Sequence, residues 1–166
     1  MTVRPALPTD AAAMARVHVA SWRTTYRGLM RDEVLDDPSF VVRREAFWTA
    51  ALTDARFAAN RVAVAEHEGT VVGIAMAGPA TGGAGAGDVR LFVLYLLDGH
   101  HGSGAGSGLL DAVVGPDERV TLWVADPNPR AQAFYRKHGF APDGGEQVDD
   151  GVREVHMVRA GSTTAP

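Results

Sequence analysis

Hydrophobic and polar positions recur along this chain with two periods, and the periods predict its elements. The longest apolar run, Leu91-Phe92-Val93-Leu94-Tyr95-Leu96-Leu97, shows no polar alternation, the pattern of a strand buried on both faces. It runs into a glycine-dense turn, after which Leu109, Leu110 and Val113 mark a short helix predicted over about Gly106 to Val114. The β-branched residues Val62, Val64, Val71, Val72 and Ile74 predict strands at Arg61 to Glu66 and Thr70 to Ala77, joined by a hairpin turn at Glu68-Gly69. Thr2 to Leu7 reads as an opening strand, Val120 to Val124 as an inner one and Val152 to Val158 as the closing one, with a further short strand at Phe140 to Pro142. Gly144-Gly145 and Asp149-Asp150-Gly151 read as turns.

Three other stretches carry the helical period. Thr9 and Asp10 offer N-cap chemistry to a helix whose apolar face is Ala13, Met14, Val17, Ala20 and Trp22 and which ends near Tyr26 and Gly28. Phe40, Val41, Arg44, Phe47, Trp48 and Leu52 predict a second helix from Pro38-Ser39 to about Thr53. In the third, Asn128 is the cap, Pro129 occupies the first turn and Gly139 ends the helix, so Ala131, Phe134, Tyr135 and His138 share one face at i, i+3, i+4 and i+7. Gly78 to Gly87 is of low complexity and reads as a mobile loop; residues 1 to 160 read as one domain and 161 to 166 as a flexible tail.

Composition narrows the function. With 166 residues, 46% of them apolar, the chain can bury one full core. A net charge of −4 provides no basic face for nucleic acid. The chain has no cysteine, which excludes disulfides, thiolate ligands and a cysteine nucleophile, and no metal site is predicted. No basic, apolar leader is present and no apolar run approaches the ~20 residues of a membrane span, so a cytoplasmic protein without a membrane partner is expected. Asp32, Glu33, Asp36 and Asp37 cluster before the second helix; they are a solvated helix approach or, if they border a pocket, a selector for cationic amines.

The glycine-dense turn carries the chemistry. Glycines let backbone N–H groups converge, and the following helix N-terminus adds partial positive charge, which together suit a phosphate. A strand, a glycine turn, a helix and Asp126 also imitate a dinucleotide-binding unit, but Ser107 breaks the Gly-x-Gly-x-x-Gly spacing that begins at Gly102 and Gly104.

Two motifs in this element order resemble the GCN5-related N-acetyltransferase (GNAT) family. His101-Gly102-Ser103-Gly104-Ala105-Gly106 has the family's [Gln/Arg]-x-x-Gly-x-[Gly/Ala] form with histidine first. Asn128-Pro129-Arg130-Ala131-Gln132-Ala133-Phe134-Tyr135-Arg136-Lys137-His138-Gly139-Phe140 has the form Asn-x-Arg-Ala-x-x-Phe-Tyr-x-x-x-Gly-Phe. The resemblance covers about Val3 to Arg159 and implies an α/β (α+β) fold: a mixed, mostly antiparallel, twisted sheet of six to seven strands with about four helices, splayed between its two central strands. It also implies acetyl-CoA (coenzyme A) as cofactor and direct transfer of the acetyl group to a primary amine of a small molecule in a ternary complex. A protein N-terminal or lysine acetyltransferase and a non-catalytic acyl-CoA-binding module are the alternatives, and homodimers are frequent among such folds.

Carried residue by residue, the resemblance assigns the diphosphate to the backbone of His101, Gly102, Ser103, Gly104, Ala105, Gly106 and Ser107. The main chain of Leu96 and Leu97 would meet pantetheine and thioester, with the Leu97 N–H stabilising the oxyanion. Asn128, Ala131 and Phe134 would lie along the pantetheine arm, and Tyr135 would protonate the leaving thiolate. Asn128 is alternatively only a helix cap, and Tyr135 only a core aromatic. Arg90 stands where many relatives carry a carboxylate, leaving the base among His18, Glu66, Glu68, Asp88, Asp98 and His100, or a water chain, with His18 and Glu66 ahead. Trp22 and Tyr26 are the candidate acceptor pocket; His18 and Ser21, close to Trp22 on the same helix, line that pocket with it, or His18 is only a solvated or core-edge residue.

Overall fold

A computed structural model describes residues 1–81 and 88–162, so most of the predicted mobile loop and the last four residues of the predicted tail lie outside the described residues. The chain begins with β1 (Thr2–Pro5), followed by helices α1 (Ala11–Thr25), α2 (Asp32–Leu35) and α3 (Phe40–Thr53). Strands β2 (Arg61–His67), β3 (Thr70–Pro79) and β4 (Val89–Leu96) come next, then α4 (Ala105–Val113), β5 (Val120–Ala125), α5 (Pro129–Lys137), β6 (Ala141–Asp149) and β7 (Val152–Arg159). The single turn α2 lies inside the predicted acidic approach.

The strands form one sheet in the order β1-β2-β3-β4-β5-β7-β6. Neighbours are antiparallel except β4 with β5, whose parallel pairing requires the crossover that α4 supplies. That parallel pairing is short: Val89 faces Val120, Arg90 faces Thr121, and the ladder stops. Beyond it β4 continues to Leu96 paired only with β3, so the sheet opens at its centre, as the predicted splay requires.

Each face of the sheet has its own helices, which is why the β4 run lacks polar positions. Leu91 packs with Leu109, Leu110 and Val113 of α4 and Tyr135 of α5, while Val93 packs on the other face with Met14 and Val17 of α1 and Trp48 of α3. Burying each aliphatic side chain of this kind contributes about 1.5–3 kcal/mol.

Several predicted boundaries move. Ala20 is exposed, and the buried side of α1 is instead Met14, Ala15, Val17, His18, Val19 and Ser21. Strand β3 runs on through Gly78 and Pro79, opposite Arg90 and Val89. A Cβ at Gly78 would lie 1.9 Å from Asn60 Oδ1, so any other residue there would displace the Asn60 side chain. Gly144 and Gly145 lie within β6, not in a turn: pairing passes from Pro142–Met157 to Glu146–Val155, four steps on β6 against two on β7. Asp143 supports this bulge by accepting the Gly145 N–H at 2.9 Å. The tail is also tied where it begins, since the Ser162 N–H donates to the Asp117 carbonyl at 3.1 Å.

Candidate functional site

Where β4 and β5 part, a cavity of about 390 Å³ opens. Its walls are β4 from Leu91 to Leu96, β5 from Leu122 to Ala125, the glycine turn, one face of α5 and the C-terminal end of α1.

At one end the turn supplies backbone. Gly102 (φ 78°) and Gly104 (φ 86°) are left-handed, and Gly104 is the residue from which α4 starts. A Cβ on either would meet nothing within 4 Å, so the backbone conformation, not crowding within the chain, requires glycine. His101, Gly102, Gly104, Gly106 and Ser107 line the cavity. Ser103 and Ala105 do not: the Ser103 hydroxyl accepts the Ala105 N–H at 3.3 Å, and Ala105 is buried in the core. Arg130, Lys137 and His138 join His101 at this end, with Asp98 placed 3.5 Å from Arg130 and 3.4 Å from His101. Convergent amides, a helix N-terminus and surrounding cations make an anion site.

The predicted face of α5 lines the cavity with all four of its residues, Ala131, Phe134, Tyr135 and His138. Ser107 and His138 lie 3.1 Å apart, and a Cβ on Gly106 would come within 3.3 Å of the Phe134 ring, so α5 packs directly on the turn. Asn128 serves as the helix cap, its Oδ1 accepting the Ala131 N–H at 3.2 Å. It also lines the cavity, and its amide donors have no partner among the described residues, so capping leaves them for a ligand.

The oxyanion donor predicted at Leu97 is corrected. The Leu97 N–H already donates to the Val72 carbonyl at 2.9 Å. Because N–H directions alternate along a strand, the Leu96 and Leu94 N–H groups point instead toward the opening left by β5.

All three tyrosines of the chain, Tyr26, Tyr95 and Tyr135, line the cavity. Tyr135 is 8% exposed, and burial holds its phenol protonated well above the ordinary range. The Tyr95 hydroxyl accepts Trp22 Nε1 at 2.9 Å, and the Tyr26 phenol is raised by burial and by Tyr95 beside it. Trp22 thus stands behind the pocket wall, packed on Tyr26 and Phe40, rather than in the lining. Tyr95 was missed as a site residue; its signal was one hydroxyl inside a seven-residue apolar run.

Neither favoured base faces the cleft. His18 is 3% exposed, enclosed by Trp22, Trp48 and Tyr95, and neither ring nitrogen has a partner. Burial, aided by the Arg44 charge, lowers its pKa to about 3, so it stays neutral in the core. Glu66 is bound to Arg4 at 3.0 Å near the β1 edge of the sheet, with Asp10 on the same guanidinium. Asp88 is paired with Arg119, Glu68 is exposed in the hairpin and His100 packs on His67. None of the acidic cluster lines the cavity, and three of its four carboxylates are turned to arginines, Asp32 and Asp36 to Arg27 and Asp37 to Arg43, each at 2.8 Å. It therefore does not act as a cation selector for the cavity. Among the described residues, no group of His, Asp and Glu side chains is arranged to hold a metal ion, and no helix is long and apolar enough to cross a membrane.

A family model for the acetyltransferase (GNAT) family matches residues 21–140. An uncharacterized N-acetyltransferase of Mycobacterium tuberculosis is 38% identical over 110 residues, covering 60% of this chain and 68% of its own. The uncharacterized N-acetyltransferase YuaI of Bacillus subtilis is 30% identical over 96% of this chain and 88% of its own. The PaiA N-acetyltransferase of Thermoplasma acidophilum, solved with coenzyme A, superposes with a TM-score of 0.75 at 18% identity over 96% of this chain and 98% of its own. A putative acetyltransferase, yncA of Salmonella typhimurium, solved with acetyl-CoA, gives 0.69 at 22% identity over 100% and 97%. An opened sheet with an anion site at its mouth defines the class, and the chain belongs to the GNAT family of acetyltransferases.

Proposed function

We propose that the protein transfers the acetyl group of acetyl-CoA directly to the primary amine of a small molecule while both are bound. The observation that carries this is the parting of β4 from β5 beyond Arg90, with a glycine-built anion site at its mouth and a protonated phenol in the gap. The cleft fits acetyl-CoA on its own chemistry: convergent amides and cations for a diphosphate, an unpaired strand edge for the pantetheine amides and an apolar α5 face beside them. Acetyl-CoA supplies an activated acetyl thioester.

The chain's residues do the rest. The amides of Gly102, Gly104, Gly106 and Ser107 hold the diphosphate together with Arg130 and Lys137, those of Ser103 and Ala105 being already given to the His100 carbonyl and the Ser103 hydroxyl. The Leu96 N–H is preorganised for the negative charge that develops on the thioester oxygen, a role worth about 3–4 kcal/mol in comparable sites. The Nδ2 donors of Asn128 orient the pantetheine arm. Tyr135 keeps its proton until the C–S bond breaks, then gives it to the sulfur; such acids contribute about 10²- to 10⁴-fold. The amine loses its proton to water in the cavity, because neither His18 nor Glu66 reaches it. Ser21 and Thr25 of α1, with Tyr26 just after it, wall the acceptor end, which favours a small amine over a polypeptide.

Thiol release measured at saturating acetyl-CoA over a panel of amines tests this reading. Turnover with small primary amines is expected. Thermal stabilisation by acetyl-CoA with no release for any amine favours the non-catalytic module instead.

A further inference from the structure

We infer that the acceptor is an arylalkylamine, a primary amine carried on a flat aromatic ring, and that Phe92 and Trp123 hold the ring between them. The inference rests on the transfer proposed above and names its substrate class.

The cavity is lined from both faces of the sheet, which separates the two ligands. The cofactor side is the face that carries α4 and α5. The other face carries α1, and its part of the lining includes Ser21, Thr25, Tyr26, Phe92, Tyr95 and Trp123. Trp123 belongs to it because Leu122 and Val124 on either side pack with α4, and side chains alternate along a strand. Phe92 belongs to it because a Cβ on Gly78 would come within 3.3 Å of its ring, and Ala77, next to Gly78, packs with α4. Tyr95 packs on the core shared by α1 and α3.

These six side chains are aromatic or hydroxylated, and none is charged. The charged residues of the described lining, Asp98, Arg130 and Lys137, stand at the diphosphate end. The second ammonium of a polyamine or the carboxylate of an amino acid therefore finds no opposite charge here, and taking it out of water without one is costly. The Arg90 guanidinium carbon lies 5.7 Å from the centroid of the Phe92 ring, so one cation already occupies that ring and opposes another. For the amino group, Ser21 supplies a polar partner. Thr24 and Thr53 turn their hydroxyls back to the carbonyl four residues earlier, at 3.2 and 2.7 Å, whereas the buried Ser21 hydroxyl has no partner.

The fork between the strands selects a flat body. The last paired rung of β4 and β5 is Arg90 with Thr121, and Phe92 and Trp123 stand two residues beyond it on either side. Paired strands lie about 4.8 Å apart, so the gap here has only begun to open and forms a slot, which admits a thin ring better than a puckered one. A bulge aims Phe92: Met76 and Ala77 face Val93 and Leu91, which leaves Phe92 as the extra residue on β4. Phe92 is 38% exposed and the one aromatic among the large exposed apolar side chains of the described residues. Trp123 is braced on the side away from the gap, where β7 is the next strand: its ring packs on His156 at 4.7 Å, and His156 Nδ1 lies 2.7 Å from Asp143 Oδ2. Rings held from outside in this way present their inner sides to a third ring, an arrangement aromatic groups favour at centroid separations of about 4.5–7 Å.

The test is thiol release at saturating acetyl-CoA with benzylamine, 2-phenylethylamine and tryptamine, set against 2-cyclohexylethylamine, L-phenylalanine and spermidine. At least one arylalkylamine should exceed 2-cyclohexylethylamine threefold in kcat/KM, and L-phenylalanine and spermidine tenfold. Phe92→Leu and Trp123→Leu should each lower the preference for that amine over propylamine at least fivefold, with acetyl-CoA affinity in calorimetry held within twofold as the check on folding. Trp123→Phe, which keeps a flat ring, should retain more of the preference than Trp123→Leu. The inference alone is overturned if 2-cyclohexylethylamine, L-phenylalanine or spermidine equals or outperforms every arylalkylamine, or if both leucine variants leave the preference unchanged. Absence of release from every compound overturns the transferase reading, and this inference with it.

Discussion

The two ends of the cleft are built from different materials. The diphosphate end comes from two continuous stretches, 101–107 and 128–138, and depends on main-chain amides, two left-handed glycines and a capped helix. The acceptor end is assembled from side chains on separate elements: Ser21 of α1, Tyr26 just after it, Tyr95 of β4 and Trp123 of β5. Backbone recognition suits a ligand part common to many related proteins, since it needs only turn geometry. Side-chain recognition can change at each position without disturbing the fold, so specificity belongs at the second end.

Substitutions should separate these ends. The largest effect is expected where they meet: Tyr135→Phe should lower kcat at least 10²-fold while leaving acetyl-CoA affinity within about twofold. Equal activity in steady-state kinetics would remove Tyr135 from the chemistry.

Next comes the acceptor side, whose core should be acid-sensitive. His18 has a folded pKa of about 3 against 6.5 for the free imidazole. The unfolded chain therefore binds the proton first: stability from this residue is complete above pH 6.5 and is lost as pH falls toward 3, by about 2 kcal/mol at pH 5. Denaturant midpoints at pH 7.5 and 5 should show this loss, and His18→Phe should flatten it; an unchanged slope would assign the effect to other groups.

At the diphosphate end, Gly104→Val forces a branched residue into φ 86° at the start of α4, a cost of about 1–2 kcal/mol, and adds a side chain where the ligand approaches. Calorimetry should show acetyl-CoA binding weakened at least tenfold, and unchanged binding would mean that the turn does not hold the diphosphate. The smallest effect is predicted for Asn128→Ala, which removes the cap of α5 at about 1 kcal/mol of stability. A rise in the KM for acetyl-CoA, larger than the small fall in melting temperature explains, would show that the Nδ2 donors act on the ligand.

How far each part could be read from residues alone follows the same division. The α5 face is set by spacing, and Ala131, Phe134, Tyr135 and His138 lie together in the cavity as the period requires. Gly144-Gly145 resembled a turn because glycine permits both a turn and a bulge; pairing with β7 selected the bulge. Glu66 was placed by element order, which does not reveal that Arg4 of the chain's first residues reaches it, with Asp10 on the same guanidinium. His18 lay on the correct helix, but which of its sides is buried depends on where α3 packs.

The sequence by itself determined the strand order of hydrophobicity, the glycine turn, the capped helix and hence the anion site, because all of these depend on residues within about ten positions of one another. Only the tertiary structure decided that the Leu97 N–H is spent on Val72 while that of Leu96 faces the opening, and that the acidic cluster stands outside the cavity with three of its four carboxylates on Arg27 and Arg43. Hydrogen-bond direction, charge compensation and burial are properties of which segments meet, and in this chain the segments that meet at the acceptor end are separated by 102 positions, from Ser21 to Trp123.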